Sequence, residues 1–267
     1  MLAGSGVNLA PEPAEYYAPQ ANFFSALFLY SYWRGGVSAA RRPLYVALNQ
    51  CLRGMVTGCD NLLDDEYKPT LATDLPLKAT RFRSIIDIMA SDRVLYEILA
   101  QEGCTVDELL AAGRLSLATL GPSGSEEARE EGGLLAELSA EQVLSEVHHY
   151  KTGLLFEAPW ALPELFEDLD RARVKVQRQA LYDIGLGCQI LDDMVDLEND
   201  QGHPNYLAAL LRTQPPLAAR RQAYQAAQGY LMQGFTALLA PAHRELQELA
   251  ISFIVARIGA GRLGDLT

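Results

Sequence analysis

The residues best suited to do chemistry fall in two acidic clusters, Asp60-Asn61-Leu62-Leu63-Asp64-Asp65-Glu66 and Asp192-Asp193-Met194-Val195-Asp196. Each ends a segment that reads as a helix. At about 100° per residue, positions i and i+4 share a helix face, so Asp60 projects with Asp64 and Asp192 with Asp196. Carboxylates held this close repel one another unless a cation lies between them. Oxygen-only ligands suit Mg²⁺, which bridges protein carboxylates to substrate phosphates. Taken singly, either cluster could be a solvated helix end. Taken together, and with acids interleaved by Leu, Met and Val as in half-buried helices, they predict two facing halves of a pocket for a metal–diphosphate complex. On this reading Asp60, Asp64, Asp192 and Asp196 are the metal ligands, and Asp193 joins them as a catalytic acid.

The elements that must position these acids are helical nearly throughout. Helices are predicted over Phe23–Trp33, Pro43–Glu66, Leu77–Gln101, Val106–Leu120, Glu141–Phe156, Ala172–Leu197, Ala218–Leu239 and Ala242–Ile258. No β-branched alternation between tight turns signals a strand. Pro43 suits a first helical turn, and Pro69 stops the helix that carries the first cluster. Gly121-Pro122-Ser123-Gly124 reads as a loop, and the acidic run Glu126–Glu131 before Gly132-Gly133 as exposed and mobile. With no repeat and no linker, the chain reads as one all-α domain over 21–267, preceded by a loose Pro-, Gly- and Ala-rich arm over 1–20. In such bundles, cofactors are held by side chains pointing inward from facing helices.

Composition sets limits on partners. Of 267 residues 49% are hydrophobic and 21% charged, enough for a sizeable core, and the formal charge is −12. That charge argues against nucleic acid, whose phosphates need clustered Lys and Arg. It fits a protein that recruits cations to hold an anionic substrate. Cys51, Cys59, Cys104 and Cys188 show no CxxC spacing and read as reduced core thiols of a cytoplasmic protein. The apolar run Phe23–Trp33 is too short to span a bilayer. It is expected to pack in the core, with a peripheral membrane contact left open.

The stretch Tyr182-Asp183-Ile184-Gly185-Leu186-Gly187-Cys188-Gln189-Ile190-Leu191-Asp192-Asp193-Met194-Val195-Asp196 resembles the trans-prenyltransferase family, the polyprenyl diphosphate synthases. In that family a Gly-containing helix leads through Gln into the second aspartate-rich motif. Gly185 costs about 1 kcal/mol against Ala in an isolated helix, and makes sense where another helix or a prenyl tail comes close. Upstream, Tyr150-Lys151-Thr152-Gly153-Leu154-Leu155-Phe156 is similar to the family's Lys-Thr motif. The resemblance runs roughly from Arg41 to Tyr206 and is looser in the first cluster. It implies the class I isoprenoid synthase fold, a helical bundle around a central apolar cavity, together with Mg²⁺ as cofactor and a homodimer. It also implies that Lys151 is a point charge for diphosphate oxygens, that Thr152 donates to them, and that Gln189 lines the donor site. Without the resemblance, Lys151 reads equally as a surface lysine and Gln189 as a polar core residue.

The departures from the family pattern bear on the acceptor. Asn61 stands where the family has a second aspartate, which weakens one ligand position or changes the metal count. Asp65 is placed to help from the side, and Glu66 to face solvent. Where chain-elongating members carry an Arg-Arg pair after the first motif, this chain has Tyr67-Lys68-Pro69-Thr70. The family's early Gly-Lys…Arg-Pro element has only a partial echo in Gly35-Gly36 and Arg41-Arg42-Pro43. Those missing bases are the ones that would hold isopentenyl diphosphate. Asn61, Lys68 and Arg81 are therefore assigned to substrate binding. Arg81 and Arg83, two apart, cannot share a helix face, so at most one of them turns inward; Arg93 follows on the same helix. His203 follows the second cluster in a loop, as a phosphate contact or simply solvated. In the family, bulky aromatics just before the first motif cap the product chain, and the resemblance implies that Met55, Val56 and Gly58 leave the pocket here comparatively deep. The expected activity is transfer of an allylic prenyl group, such as geranyl from geranyl diphosphate, to a lipid-like non-isopentenyl acceptor. The resemblance of Asp60–Glu66 to the variant first motif of a prenyltransferase of this fold implies a prenylated phosphoglycerate glycolipid as acceptor. The alternatives are a class I terpene cyclase, an ordinary chain-elongating synthase, and a non-catalytic partner subunit.

Overall fold

The computed structural model describes residues 2, 4–10, 18, 21–64, 67–131, 137–198 and 203–258, the side chains of 130 and 131 excepted. Among these residues there is no strand, and the chain is a succession of helices. They are α1 (Phe23–Gly35), α2 (Arg42–Leu63), α3 (Thr80–Gln101), α4 (Val106–Glu131) and a single turn, α5 (Ala140–Gln142). A π-helix over Val143–Gly153 leads into α6 (Leu154–Glu157), a 3₁₀ turn over Ala158–Trp160 and α7 (Ala161–Phe166). Then come α8 (Arg171–Val195), α9 (Tyr206–Leu211), α10 (Pro216–Leu238), a 3₁₀ turn over Pro241–His243 and α11 (Leu246–Ile258). The chain divides into two compact units, one of Met1–Ser116 with Leu162–Asp168 and one of Leu117–Ala161 with Leu169–Thr267. The division falls within α4.

In the first unit α2 packs on α3. Tyr45, Leu48, Cys51 and Leu52 are buried at helical spacing, which gives α2 one apolar stripe. Across from it Leu95 and Leu99 of α3 are each 1% exposed. Full burial of one such side chain is worth about 1.5–3 kcal/mol. Pro43 occupies the first turn of α2, as its missing N–H requires. Within the N-terminal 1–20, residues 7–10 run along 72–74. The Asn8 amide N–H and side-chain amide donate to the Asp74 carboxylate at 2.9 and 2.7 Å, and Ala10 N–H donates to Ala72 O at 2.9 Å.

In the second unit α8 and α10 pack closely because small residues lie where they cross. A Cβ on Gly234 would come 2.6 Å from the Ala180 carbonyl, and one on Gly187 would come 2.7 Å from Leu231 Cγ. Asp183 of α8 is buried at this seam. It accepts from Gln179 Nε2 and, across the seam, from Gln233 Nε2, each at 2.9 Å. Burial raises its carboxyl above the ordinary aspartate range, although both amides act against that. Asp170 caps α8, accepting from Ala172 N–H at 2.9 Å and Arg173 N–H at 3.3 Å.

Three expectations are corrected. Gly121-Pro122-Ser123-Gly124 is not a loop but the interior of α4. An interior proline loses its N–H bond and crowds the carbonyl four residues back, and Ser123 Oγ, donating to the Lys151 carbonyl at 3.3 Å, helps hold the turn down. The acidic run that follows is not a solvated tail. Glu126 is 5% exposed and pairs with Arg129 at 3.0 Å, while Glu127 pairs with Lys151. Gly132-Gly133 lie outside the described residues. Cys59 is exposed rather than a core thiol, whereas Cys51 and Cys188 are buried. The short helices α7 and α9 were not expected; they are too brief for periodicity to show.

Candidate active site

Both acidic clusters end a long helix in the same way. Asp60 lies in the last turn of α2, and Asp64 follows it with φ −86° and ψ 1°, its N–H donating to Asp60 O at 2.9 Å. Asp192 lies in the last turn of α8, and Asp196 follows it with φ −99° and ψ 13°, its N–H donating to Asp192 O at 2.9 Å. Each pair therefore sits on the negative end of a helix dipole, where cations and not anions are favoured. Neither helix has a basic residue in its last turn. Asp64 and Asp192 are exposed, Asp60 and Asp196 half-buried. Such an arrangement is unfavourable for a bare protein and suits one that binds cations there.

The donor set fits magnesium. Among the described residues no three or more His, Cys, Asp or Glu side chains are grouped so as to hold a metal by themselves. What each cluster offers is a pair of carboxylates. Mg²⁺ is typically held in this way, by one or two protein carboxylates with waters and substrate phosphates completing the octahedron.

Around the first pair, Asn61 is buried. Its Nδ2 donates to the Lys68 carbonyl at 3.0 Å, and its Oδ1 accepts from the Lys68 N–H at 2.8 Å. The segment beyond is tied to α3 as well. The Arg83 guanidinium lies 4.9 Å from the Tyr67 ring centre and donates to Leu75 O at 2.6 Å, and Tyr67 OH donates to Asp87 at 3.3 Å. Burial pushes the Asp87 carboxyl up, against the opposing hydrogen bonds from Thr70 and Tyr67 and the charge of Arg83. Of Arg81 and Arg83 it is Arg83 that turns inward, while Arg81, Arg93 and the Lys68 side chain are exposed. Asp65 and Glu66 lie outside the described residues. Gly58 faces α3, where its Cβ would come 2.6 Å from Ile88 Cγ1. Its smallness serves the contact between α2 and α3.

Around the second pair a hydrogen-bonded chain runs through three of the expected residues. Thr152 Oγ1 donates to Gln189 Oε1 at 2.5 Å, and Gln189 Nε2 donates to Asp193 Oδ1 at 3.2 Å. A carboxylate only accepts, so Gln189 must turn its nitrogen to Asp193 and its oxygen to Thr152. The Thr152 proton is thereby directed at Gln189, and the hydroxyl offers lone pairs elsewhere. Asp193 is 2% exposed. Its Oδ2 accepts the Tyr206 N–H at 2.5 Å, and its carbonyl accepts from Asn205 Nδ2 at 3.0 Å. It is held by protein groups on both carboxylate oxygens.

His148 was missed by sequence reasoning. It is 1% exposed, its Nε2 lies 3.1 Å from Asp193 Oδ2, and its Nδ1 has no hydrogen-bond partner. It sits on the π-helix that also carries Lys151 and Thr152. The only signal in the sequence was the pair His148-His149 just ahead of the Lys-Thr motif. Next to it, His149 Nδ1 is 2.8 Å from Tyr182 Oη; burial pushes the Tyr182 hydroxyl up to about 12. Gly153 lets that ring in, since a Cβ there would come 2.4 Å from Tyr182 Cε2. Gly185 is likewise covered by the Phe156 side chain, 2.8 Å from where its Cβ would be. Lys151 pairs with Glu127 Oε1 at 3.0 Å and is partly exposed. His203 is exposed.

The bases expected to echo an acceptor clamp are engaged elsewhere. Arg41 donates to Glu102 at 2.6 Å and to Glu167 at 2.9 Å, and Tyr45 OH also donates to Glu167. Arg42 Nε donates to Val37 O at 2.9 Å.

Fold comparison assigns the chain to the all-α class I isoprenoid synthase fold, the fold of the trans-prenyltransferases. Among solved structures it is similar to a geranylgeranyl pyrophosphate synthetase from the archaeon Geoglobus acetivorans. The TM-score is 0.65 at 15% identity, over 87% of this chain and 84% of that one. The geranylgeranyl pyrophosphate synthetase of Pyrococcus horikoshii matches with a TM-score of 0.62 at 16% identity, over 90% and 88%. A geranyltransferase from Helicobacter pylori matches at 0.57 and 18% identity, over 94% and 91%. No protein-family model and no curated protein sequence matches the chain.

Proposed function

We propose that this protein is a Mg²⁺-dependent prenyltransferase that moves an allylic prenyl group from its diphosphate to an acceptor other than isopentenyl diphosphate. The observation that carries this reading is the pair of carboxylates at the negative end of α2, repeated at the end of α8, with no base in either last turn. The similarity to prenyl synthetases supports it at the level of fold.

Asp60 with Asp64, and Asp192 with Asp196, would each hold Mg²⁺ through carboxylate oxygens, leaving its other positions to water and the donor's diphosphate. Bound there, the metal supplies Lewis-acid stabilisation of the charge that builds on the leaving diphosphate. Lys151 adds a point charge to the diphosphate by exchanging Glu127 for a phosphate oxygen. Gln189 and Thr152, locked by Asp193, present a fixed polar wall to the donor. In the reaction the allylic C–O bond breaks with its electron pair going to diphosphate. A bond forms from the prenyl carbon to the acceptor, which gives up a proton.

The acceptor assignment rests on absences of positive charge. Arg41 and Arg42 are consumed by Glu102, Glu167 and a backbone carbonyl, and Tyr67-Lys68-Pro69-Thr70 stands after the first cluster in place of an Arg pair. A geranyl donor and a prenylated phosphoglycerate glycolipid acceptor, as in moenomycin-type antibiotic biosynthesis, is the specific reading; the Asp-Asn-Leu-Leu-Asp-Asp-Glu motif supports it. Residues 21–267 act in this reading as one domain of a homodimer in the cytoplasm. Leu29 and Trp33 of α1, 40% and 41% exposed, offer a peripheral contact to a membrane that holds a lipid acceptor. No helix among the described residues is long and apolar enough to cross a membrane.

Incubation with geranyl diphosphate, Mg²⁺ and candidate acceptors tests the reading. Diphosphate release that depends on a lipid acceptor supports it. A cyclised hydrocarbon formed without acceptor would make the protein a cyclase. Elongation with isopentenyl diphosphate would make it an ordinary synthase.

A further inference from the structure

The two clusters differ at their second position, Asn61 in one and Asp193 in the other, and the geometry around Asn61 gives the difference a purpose. Asn61 is 2% exposed, and both ends of its amide are spent on the backbone of one residue. Nδ2 donates to Lys68 O at 3.0 Å, and Oδ1 accepts from Lys68 N–H at 2.8 Å. This is the pairing one strand residue gives another, made here by a side chain. It demands a donor and an acceptor on one planar group. A carboxylate would set an oxygen against the Lys68 carbonyl, whose repulsion opens the pairing and exposes the Lys68 N–H, and it would remove the donor that Asn61 supplies.

Asp64 lies between the two points that this pairing joins. On one side its N–H is bonded to Asp60 O; on the other, the chain returns to α2 at Lys68 and is tied to α3 through Tyr67. We propose that Asn61 is a positioning residue: its amide closes the return of the chain on α2 and thereby fixes where Asp64 and the Lys68 ammonium stand relative to Asp60. The neutral amide is then a requirement of this cluster and not a weakened metal ligand. Restoring the aspartate typical of the fold's other members should harm this protein. The proposal rests on the metal–diphosphate reading of the cluster given above.

The test compares N61D, which is isosteric, and N61A with the unchanged chain. Two measurements are made, neither needing an acceptor: hydrogen exchange at the Lys68 amide, and calorimetric binding of inorganic pyrophosphate with Mg²⁺. In both variants the Lys68 amide should exchange on the order of tenfold faster or more, with α8 amides unaffected. Affinity for Mg²⁺–pyrophosphate should drop roughly tenfold, and N61D should be no better than N61A. N61D with native Lys68 protection and native or tighter pyrophosphate binding overturns the proposal. Faster exchange with unchanged pyrophosphate binding overturns it too, since the clamp would then position nothing. If the unchanged chain binds no Mg²⁺–pyrophosphate, the reading of the site itself has failed, a result separate from either.

Discussion

The ends of α2 and α8 are built alike and finished differently. Each carries a pair of acids at i and i+4, and in each the last acid caps the helix by bonding its N–H four residues back. In each, the second residue of the cluster is buried and bonded to chain that comes later. At α2 that residue is Asn61, which faces one N–H and one C=O of Lys68. At α8 it is Asp193, whose carboxylate faces two donors, Tyr206 N–H and Gln189 Nε2. The carbonyl that would need a donor there is Asp193's own, and Asn205 supplies it. The amide at one end and the carboxylate at the other each match the hydrogen-bonding character of their partners. A departure from a motif can thus be a change of scaffold while the ligand pair stays intact.

The comparison can be broken most severely at the outer acids. Asp60→Ala and Asp192→Ala should each lower kcat/KM by about 10²–10³-fold or more with little change in melting temperature. Two pairs doing one job make the losses similar, and near-native turnover in either variant would remove that cluster from the site. At the inner positions the effects move to stability. Asp193→Ala strips the acceptor from two donors and should cost about 2–4 kcal/mol in chemical denaturation, more than the roughly 1–3 kcal/mol expected of Asn61→Ala. The reverse order would mean that the two ends are not the matched pins described here.

Lys151 stands on the π-helix that packs on α8, so Lys151→Ala should raise the donor KM about tenfold and leave kcat and folding nearly unchanged. A donor titration checks this. The glycines offer a finer test. Gly185→Ala meets the Phe156 side chain and Gly58→Ala meets Ile88 Cγ1 and the Ser84 backbone carbonyl, so each should cost about 1–3 kcal/mol. The smallest effect is the pH dependence from Asp183. Burial raises its folded pKa, so its favourable contribution is complete below the unfolded aspartate value of about 3.9 and fades as pH rises through the folded one. Asp183→Asn should therefore gain stability relative to the unchanged chain as pH climbs from about 4 towards 7. Melting curves that stay parallel across that range would exclude it.

Much of the site was legible because its residues lie within one helix turn of each other. Asp60 with Asp64, and Asp192 with Asp196, follow from helical spacing alone, as does the rule that only one of Arg81 and Arg83 could turn inward. The sequence could not say which of the two it would be, because that depends on Tyr67 and Leu75 reaching α3. His148 and the inward turn of Asp193 were invisible, since the groups that bury them come from the π-helix and from Tyr206. The supposed loop at Gly121-Pro122 read wrongly for a similar reason. Local propensity favours a break there, and contacts such as that from Ser123 to Lys151 hold the helix together.

The sequence by itself determined that the chain is helical, which acids share a face, and that both pairs stand at helix ends, because a period of 3.6 residues and a stop after each cluster are local properties. Only the tertiary structure decided what each side chain bonds to: that Asn61 spends its amide on Lys68, that Thr152 gives its proton to Gln189, and that Arg41 belongs to Glu102 and Glu167. Those choices depend on partners up to 126 residues away, and a hydrogen bond or ion pair is specified by geometry at contact, not by position along the chain.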